Sequence, residues 1–82
     1  MSGSIAAQFS RRLRTLRKES GLTQDALADL SGLHVTYIAG LEGGKRNPTL
    51  ITLTRLATAL GVSLSGLLEG VDENAGGSSP CE

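Results

Sequence analysis

The residues whose types and spacing could do chemistry lie between Thr23 and Glu42. Ala28 is small at the point where two short helices would approach closely, and Gly32 follows four residues later, where the turn between them needs left-handed backbone. That conformation costs a residue with a side chain about 1 kcal/mol or more. Two helices joined by such a turn form either an ordinary helical hairpin or a DNA-reading helix-turn-helix. The small residue, the glycine and the flanking apolar residues occur together at these offsets, and the combination favours the DNA-reading motif.

No other pattern in the chain indicates catalysis or metal binding. His34 is the only histidine and Cys81 the only cysteine, and one such residue cannot build a zinc site. The sequence contains no acid–base pair, nucleophile elbow or phosphate loop, and so short a chain does not enclose a usual pocket. We therefore expect a protein that is not an enzyme and binds no metal, cofactor or small-molecule ligand.

Apolar runs and cysteine usage indicate where the protein works. No run is long enough to span a membrane, and the first twelve residues lack the apolar stretch of a signal peptide. One unpaired cysteine suits a reducing compartment. We expect a cytoplasmic protein without a membrane partner.

The formal net charge is zero, but the charges are unevenly distributed. Residues 1–47 contain seven Lys and Arg against four Asp and Glu, whereas residues 48–82 contain one against four. The N-terminal half can therefore present a phosphate-facing surface in spite of the neutral total. Solvated helices are often this charged, so the asymmetry is weak evidence by itself.

The elements that must position the motif are five helices, predicted from apolar spacing and capping residues. The first runs from about Ile5 to Ser20, and the second follows the N-cap Thr23 with Leu27 and Leu30 facing inward. The third opens at His34 or a neighbour and ends at residues 43–44.

A fourth helix follows Thr49 and a short fifth helix follows Ser63. Residues 1–4 and 70–82 are rich in turn-forming and polar residues, so we expect both ends to be disordered around a single domain at 5–69. The prediction is an all-α, five-helix domain with the motif at helices 2 and 3.

The stretch from about Leu13 to Leu68 resembles the phage-repressor and Cro-like (XRE-type) family of bacterial regulators. The pattern that carries the resemblance is LTQ…LA…SGL…YI…LE.GKRNP.L..L..LA.ALGVS, over about two thirds of the chain. The resemblance implies a five-helix fold that binds double-stranded operator DNA as a dimer, with the third helix in the major groove. The segment LHVTYIAGLEGGKRNP is especially similar to the controller proteins of restriction–modification systems, although prophage repressors and antitoxins share much of it.

In this motif the N-terminal part of the third helix reaches base edges. The predicted base-reading residues are Val35, Thr36, Ala39 and Gly40. Thr36 offers a hydroxyl and a methyl group, whereas Val35 offers only apolar contact or packs into the core, three residues before Ile38. Many similar proteins place a long polar residue at the position of Val35. Because this helix has no arginine, glutamine or asparagine, specificity would depend more on Thr36, DNA shape and dimer spacing.

Phosphate contacts are expected from helix ends and from the loop after the third helix. The predicted phosphate-binding residues are Thr23, Gln24, His34, Tyr37, Lys45, Arg46 and Asn47. Four of these assignments have alternatives: Thr23 as a helix cap, Tyr37 as a packing residue, and the Lys45–Asn47 loop as a solvated segment. The alternatives for His34 are an N-cap-like polar residue, a base contact or a metal ligand.

Two further roles are structural. By the resemblance, Arg17 and Glu42 match a salt bridge between the first helix and the end of the third. The predicted dimer interface, drawn from apolar residues in excess of what a short terminal helix can bury, is Val62, Leu64, Leu67 and Leu68. For Leu64 and Leu67 the alternative is the core of the single chain, since their spacing suits intramolecular packing.

These expectations lead to two hypotheses on function. The first is a sequence-specific transcriptional regulator that binds a palindromic operator as a homodimer. The second is a helical protein-interaction module of the antitoxin or antirepressor type, which keeps the fold and has weak or no specific DNA binding.

Overall fold

The computed structural model describes residues 4–72, which form five α-helices and no strand. The helices are α1 (Ile5–Glu19), α2 (Gln24–Ser31), α3 (Val35–Glu42), α4 (Leu50–Leu60) and α5 (Leu64–Leu67). The predicted all-α, five-helix fold is confirmed, with the motif at α2 and α3. Over the same residues, no helix is both long and apolar enough to cross a bilayer.

Hydroxyl side chains begin four of the five helices. Ser4, Thr23, Thr49 and Ser63 each precede a helix and accept a hydrogen bond from the backbone N–H three residues later. Such a bond satisfies an N–H group that has no partner within the helix. His34 precedes α3 without a side-chain cap, so α3 begins where the turn from α2 places it.

The core lies where α1, α2, α3 and α4 meet and is closed at one end by α5. Its most deeply buried side chains are Leu13, Leu27, Ile38, Leu41, Leu56 and Leu67. The expectation that Leu30 faces inward is wrong, since that side chain is 61% exposed. The buried face of α2 is made by Leu27, Ala28 and Ser31, and Leu30 lies on the far side of Leu27 from Ala28.

The packed part of the chain extends beyond the predicted domain limits of 5 and 69. Ser4 caps α1, Val71 packs against the core, and the backbone N–H of Asp72 donates to Oε1 of Gln8 at 2.9 Å. The buried Gln8 provides an acceptor that holds residues 70–72 against α1. The rest of the predicted disordered ends, including Cys81, lies outside the described residues.

Candidate nucleic-acid interface

A left-handed glycine turn sets the angle between α2 and α3. Gly32 has φ 75°, and its N–H and that of Leu33 both donate to the carbonyl of Ala28, at 2.9 and 3.1 Å. Ala28 is buried beside this turn. The predicted left-handed position is confirmed, and any residue with a side chain would be strained there.

The two sides of α3 differ in burial. Ile38 and Leu41 lie in the core, whereas Val35, Thr36 and Ala39 are exposed, with Val35 at the edge of the buried side, three residues before Ile38. Val35 is 38% exposed and is not part of the core, so the alternative that it fills the core is not what the structure shows. Three of the four predicted base-reading residues therefore share one accessible face.

Gly40, the fourth predicted base-reading residue, is covered by a side chain from the following loop. A Cβ built on Gly40 would lie 2.9 Å from Cγ of Arg46, and the Arg46 guanidinium lies 5.7 Å from the centre of the Tyr37 ring, within cation–π range. Gly40 is half-buried and forms part of the surface on which the Arg46 side chain rests. The exposed face of α3 gains a guanidinium that the helix sequence lacks.

Arg46 also borders a concave surface at the start of α3. The concavity has a volume of about 420 Å³ and is lined by Gly32, Leu33, His34, Thr36, Tyr37 and Arg46. Four of these were predicted DNA-contact residues, and they combine a cation, a hydroxyl, an imidazole and a phenol. Donors of this kind bind phosphate oxygens and base edges.

The loop that contains Arg46 divides between two faces of the molecule. Lys45 and Arg46 are exposed near the end of α3. Asn47 also lines a separate, largely apolar groove with Ile5 and Pro48. The structure therefore brings Arg46 to the accessible face of α3 and leaves Asn47 exposed at the border of the separate groove.

A buried carboxylate joins α1, α2 and the end of α3. The Glu42 side chain is 1% exposed and the Arg17 side chain 11% exposed. Arg17 donates to Glu42 through Nε at 2.6 Å and Nη2 at 3.0 Å, and through Nη1 to the carbonyl of Leu22 at 2.9 Å. Because this fork contacts one carboxylate with two nitrogens, it fixes the end of α3 in orientation as well as position.

Two more side chains contact the same carboxylate. Gln24 donates to Oε1 of Glu42 at 3.0 Å, so its amide is directed to the interior bridge rather than to solvent, where the phosphate prediction placed it. Arg14 lies 3.7 Å from the same oxygen. Neither contact has a helical spacing to Glu42, and the sequence held no local signal for them.

The charge state of this cluster follows from its contacts. Burial by itself would raise the pKa of Glu42, but hydrogen bonds from Arg17 and Gln24, with the charges of Arg17 and Arg14, lower that pKa below its ordinary value. The hydrogen bond to Glu42 raises the pKa of Arg17 against the effect of burial. Both groups are therefore charged at neutral pH, as an ion pair requires.

The predicted dimer residues divide between the core and its edge. Leu67 is fully buried in the core of the single chain, so its place in a dimer interface is corrected to the alternative role. Val62, Leu64 and Leu68 are half-buried and pack against that core. Leu67 attaches the short α5 to the rest of the domain, so its side chain is not available to a partner.

Comparisons with known proteins agree with this geometry. The family described as Helix-turn-helix matches residues 13–67. The HTH-type transcriptional regulator y4dJ of Sinorhizobium fredii is 46% identical over 69 residues, which cover 84% of this chain and 84% of that protein. The restriction-modification controller protein C.AhdI of Aeromonas hydrophila has 45% identity and a TM-score of 0.74, over 76% of this chain and 94% of that one.

A third similarity is to the controller protein C.Esp1396I, solved as a tetramer in complex with its natural 35 base-pair operator. Its identity is 33% and its TM-score 0.77, over 84% of this chain and 91% of that chain.

Proposed function

This chain is a transcriptional regulator of the helix-turn-helix family, and we propose that it binds a palindromic operator as a homodimer, with α3 in the major groove. Its relatives are transcriptional regulators and controller proteins rather than enzymes, so the prediction that it is not an enzyme is confirmed. The controller-type resemblance stated from the sequence is confirmed as well.

The observation that carries the proposal is the accessible face of α3 with Arg46 folded over it. Thr36 offers a hydroxyl to a base edge, and Val35 and Ala39 offer apolar contact to thymine methyl groups. Arg46 adds a fixed positive charge, held in place by Tyr37 and Gly40. A face with this composition reads bases weakly by hydrogen bonds and binds phosphates strongly.

The phosphate contacts surround that face. We assign them to Thr23 and Gln24 at the start of α2, His34 and Tyr37 at the start of α3, and Lys45, Arg46 and Asn47 in the loop. Thr23 can serve twice, since its hydroxyl caps α2 at a helix N-terminus that favours anions. Gln24 must exchange its hydrogen bond to Glu42 for one to DNA, which would couple DNA binding to the buried cluster.

The homodimer rests on symmetry and on a relative. An isologous dimer presents two copies of α3 about 34 Å apart, one turn of DNA, and so matches a palindrome. C.Esp1396I, with 33% identity, is a tetramer on its 35 base-pair operator. An assembly of several copies on one operator suits a small reading domain such as this one.

DNA binding measured against salt tests the proposal. Operator-like duplexes are first selected from a random pool by the wild-type protein, and affinities are then measured by fluorescence anisotropy as salt is raised. We expect a steep salt dependence, whose slope Arg46→Ala reduces by about 1. Arg46→Lys, which keeps the charge, should retain the slope and lose affinity only through the lost ring contact.

Sequence reading is tested with the same duplexes. Thr36→Val removes the hydroxyl at nearly constant shape, and we expect it to alter base preference at the position it contacts. Thr58→Val is the control, since Thr58 is exposed on α4. Equal weak binding of the wild-type protein to every duplex would reject a sequence-specific regulator and favour the interaction module of the antitoxin or antirepressor type.

A further inference from the structure

Arg55 is a cation that neither the core nor the accessible face of α3 explains. It is the only Lys or Arg after residue 47 and the only charged residue of α4. The residues by which α4 joins the core are Leu53, Leu56, Ala57 and Leu60, whereas Arg55 is exposed. The packing of α4 therefore gives no reason for a charge at this position.

The Arg55 side chain extends from α4 to the turn between α2 and α3. A Cβ built on Gly32 would lie 3.4 Å from Nη1 of Arg55, so the guanidinium lies beside the turn. Gly32 and Leu33 both donate their own N–H groups to the carbonyl of Ala28. Because these two backbone donors are already used, the guanidinium is the group at this turn that can donate to an external acceptor.

No acid within the described part of the chain neutralises Arg55. Arg12, Arg14 and Arg17 lie 3.5, 3.7 and 2.6 Å from carboxylate oxygens. Among residues 4–72, Arg55 has neither an ion pair nor a hydrogen bond. Its guanidinium donors, which are always charged, are therefore available to an anion from outside the chain.

The position of Arg55 indicates which anion it meets. Gly32 also lines the concave surface at the start of α3, to which Arg46 contributes from the following loop. Arg55 adjoins that surface at Gly32 from the side of α4. The arginine fork matches the oxygens of a phosphate, and phosphates flank the groove that a recognition helix enters.

We propose that Arg55 binds a phosphate of the DNA backbone and so extends the interface of the helix-turn-helix to α4. The inference rests on the proposed function and adds a contact outside the residues assigned there. A phosphate carries no sequence information, so this contact contributes affinity and helps to set the register of α3 without distinguishing bases. Arg55 differs in this from Thr36, whose hydroxyl is assigned to a base edge.

Salt-dependent DNA binding tests the proposal. Arg55→Gln removes the charge and keeps a polar side chain, Arg55→Lys keeps the charge, and Lys18→Gln removes one charge from an exposed position near the end of α1. Affinities are measured by fluorescence anisotropy on the selected operator-like duplex and on an unrelated duplex. We expect Arg55→Gln to weaken both by about ten-fold, to reduce the salt slope by about 1 and to leave the ratio of the two affinities unchanged. Arg55→Lys should keep the slope.

A neutral phosphate analogue separates a local contact from the general effect of charge. Single methylphosphonates, which lack the negative charge, replace each phosphate of the operator-like duplex in turn. We expect a position at which the replacement weakens the wild type and Lys18→Gln by a similar factor and no longer weakens Arg55→Gln. The same map of sensitive positions for the wild type and Arg55→Gln would overturn the contact.

The remaining outcomes distinguish this proposal from the proposed function. If Arg55→Gln unfolds at the wild-type temperature by circular dichroism and keeps the wild-type salt slope, the phosphate contact is overturned and the regulator stands. A loss of affinity without a change of slope would also overturn it, since Arg55 would then support the turn at Gly32 and not bind phosphate. A wild-type protein without salt-dependent binding to any duplex would overturn both proposals.

Discussion

The buried ion pair between Arg17 and Glu42 allows the sharpest prediction, the effect of Arg17→Met on stability. The substitution removes the guanidinium and leaves the Glu42 carboxylate, 1% exposed, with the Gln24 amide and Arg14 at 3.7 Å. Breaking a buried pair by removing one partner costs about 3–5 kcal/mol, because the remaining charge stays buried and loses its main counter-charge. Total stabilities of small domains are about 5–15 kcal/mol, so we expect Arg17→Met to be a marginally stable protein.

The reverse substitution, Glu42→Gln, should cost less. Glutamine keeps the volume and one acceptor oxygen, and the remaining guanidinium still donates to Leu22 at 2.9 Å. The two charge-assisted hydrogen bonds from Arg17 to the carboxylate are replaced by one hydrogen bond to a neutral amide oxygen, which lowers the unfolding free energy by about 2–3 kcal/mol. The double variant leaves no unpaired charge in the interior, so its cost should fall short of the sum of the single costs by at least about 2 kcal/mol.

Urea unfolding followed by circular dichroism at 222 nm measures these changes, since the chain contains no tryptophan. All variants are compared at one protein concentration, because association would otherwise change apparent stability. The matched control is Glu69→Gln, which removes the surface pair with Arg12 at 3.5 Å, where Glu69 is 77% exposed. An exposed pair of this kind contributes about 1 kcal/mol or less.

Additive costs would refute the reasoning. If the Arg17→Met and Glu42→Gln costs sum to that of the double variant within about 0.5 kcal/mol, the two side chains do not act as a pair. If either single variant loses no more stability than Glu69→Gln does, breaking the buried bridge costs no more than breaking an exposed one. Either result would remove the argument that the pair sets the position of α3.

Two other predictions concern Glu42 and Gly40. Because the pKa of Glu42 is lowered in the folded protein, its contribution to stability is complete above the unfolded-chain pKa of about 4.3 and is lost as pH falls through the lower folded-state pKa. Measurements of the unfolding free energy against pH should show this loss in the wild type and not in Glu42→Gln. Equal acid sensitivity of the two proteins would contradict the prediction. Gly40→Ala should stabilise α3 by up to about 1 kcal/mol through helix propensity while it weakens DNA binding, because the new Cβ would lie 2.9 Å from Cγ of Arg46 and displace that side chain. In an Arg46→Ala background the same substitution should leave affinity unchanged, and a further loss there would show that Gly40 acts independently of Arg46.

Local structure was predictable wherever a residue acts on its own neighbours. Thr23, Thr49 and Ser63 begin helices because each hydroxyl bonds an N–H three residues later. Gly32 ends α2 because only glycine adopts φ 75° without strain. The prediction that Leu30 faces inward was wrong in the same segment. In a helix of only two turns, the residues on either side of the apolar stripe can face the core, and the sequence does not indicate which side does.

The candidate site was predictable in its location and only partly in its side chains. The sequence predicts that Val35, Thr36 and Ala39 face the DNA while Ile38 faces the core, and the structure exposes all three. It does not indicate that Arg46 returns across Gly40, since the path of a loop side chain depends on what it packs against. The helix alone therefore appeared poorer in hydrogen-bond donors than the folded surface is.

Taken by itself, the sequence determined five helices, their caps, the glycine turn between α2 and α3 and the family to which the chain belongs, because each of these is written within a few neighbouring residues or in a recurring pattern. Only the tertiary structure decided which apolar residues enter the core and which stay exposed to solvent. It uses Leu67 to fix α5 in the core and leaves Leu50 and Ile51 open at the start of α4. It also directs Gln24 to Glu42 across 18 residues of chain. Such choices depend on how helices pack against one another, and no local pattern encodes the outcome of that packing.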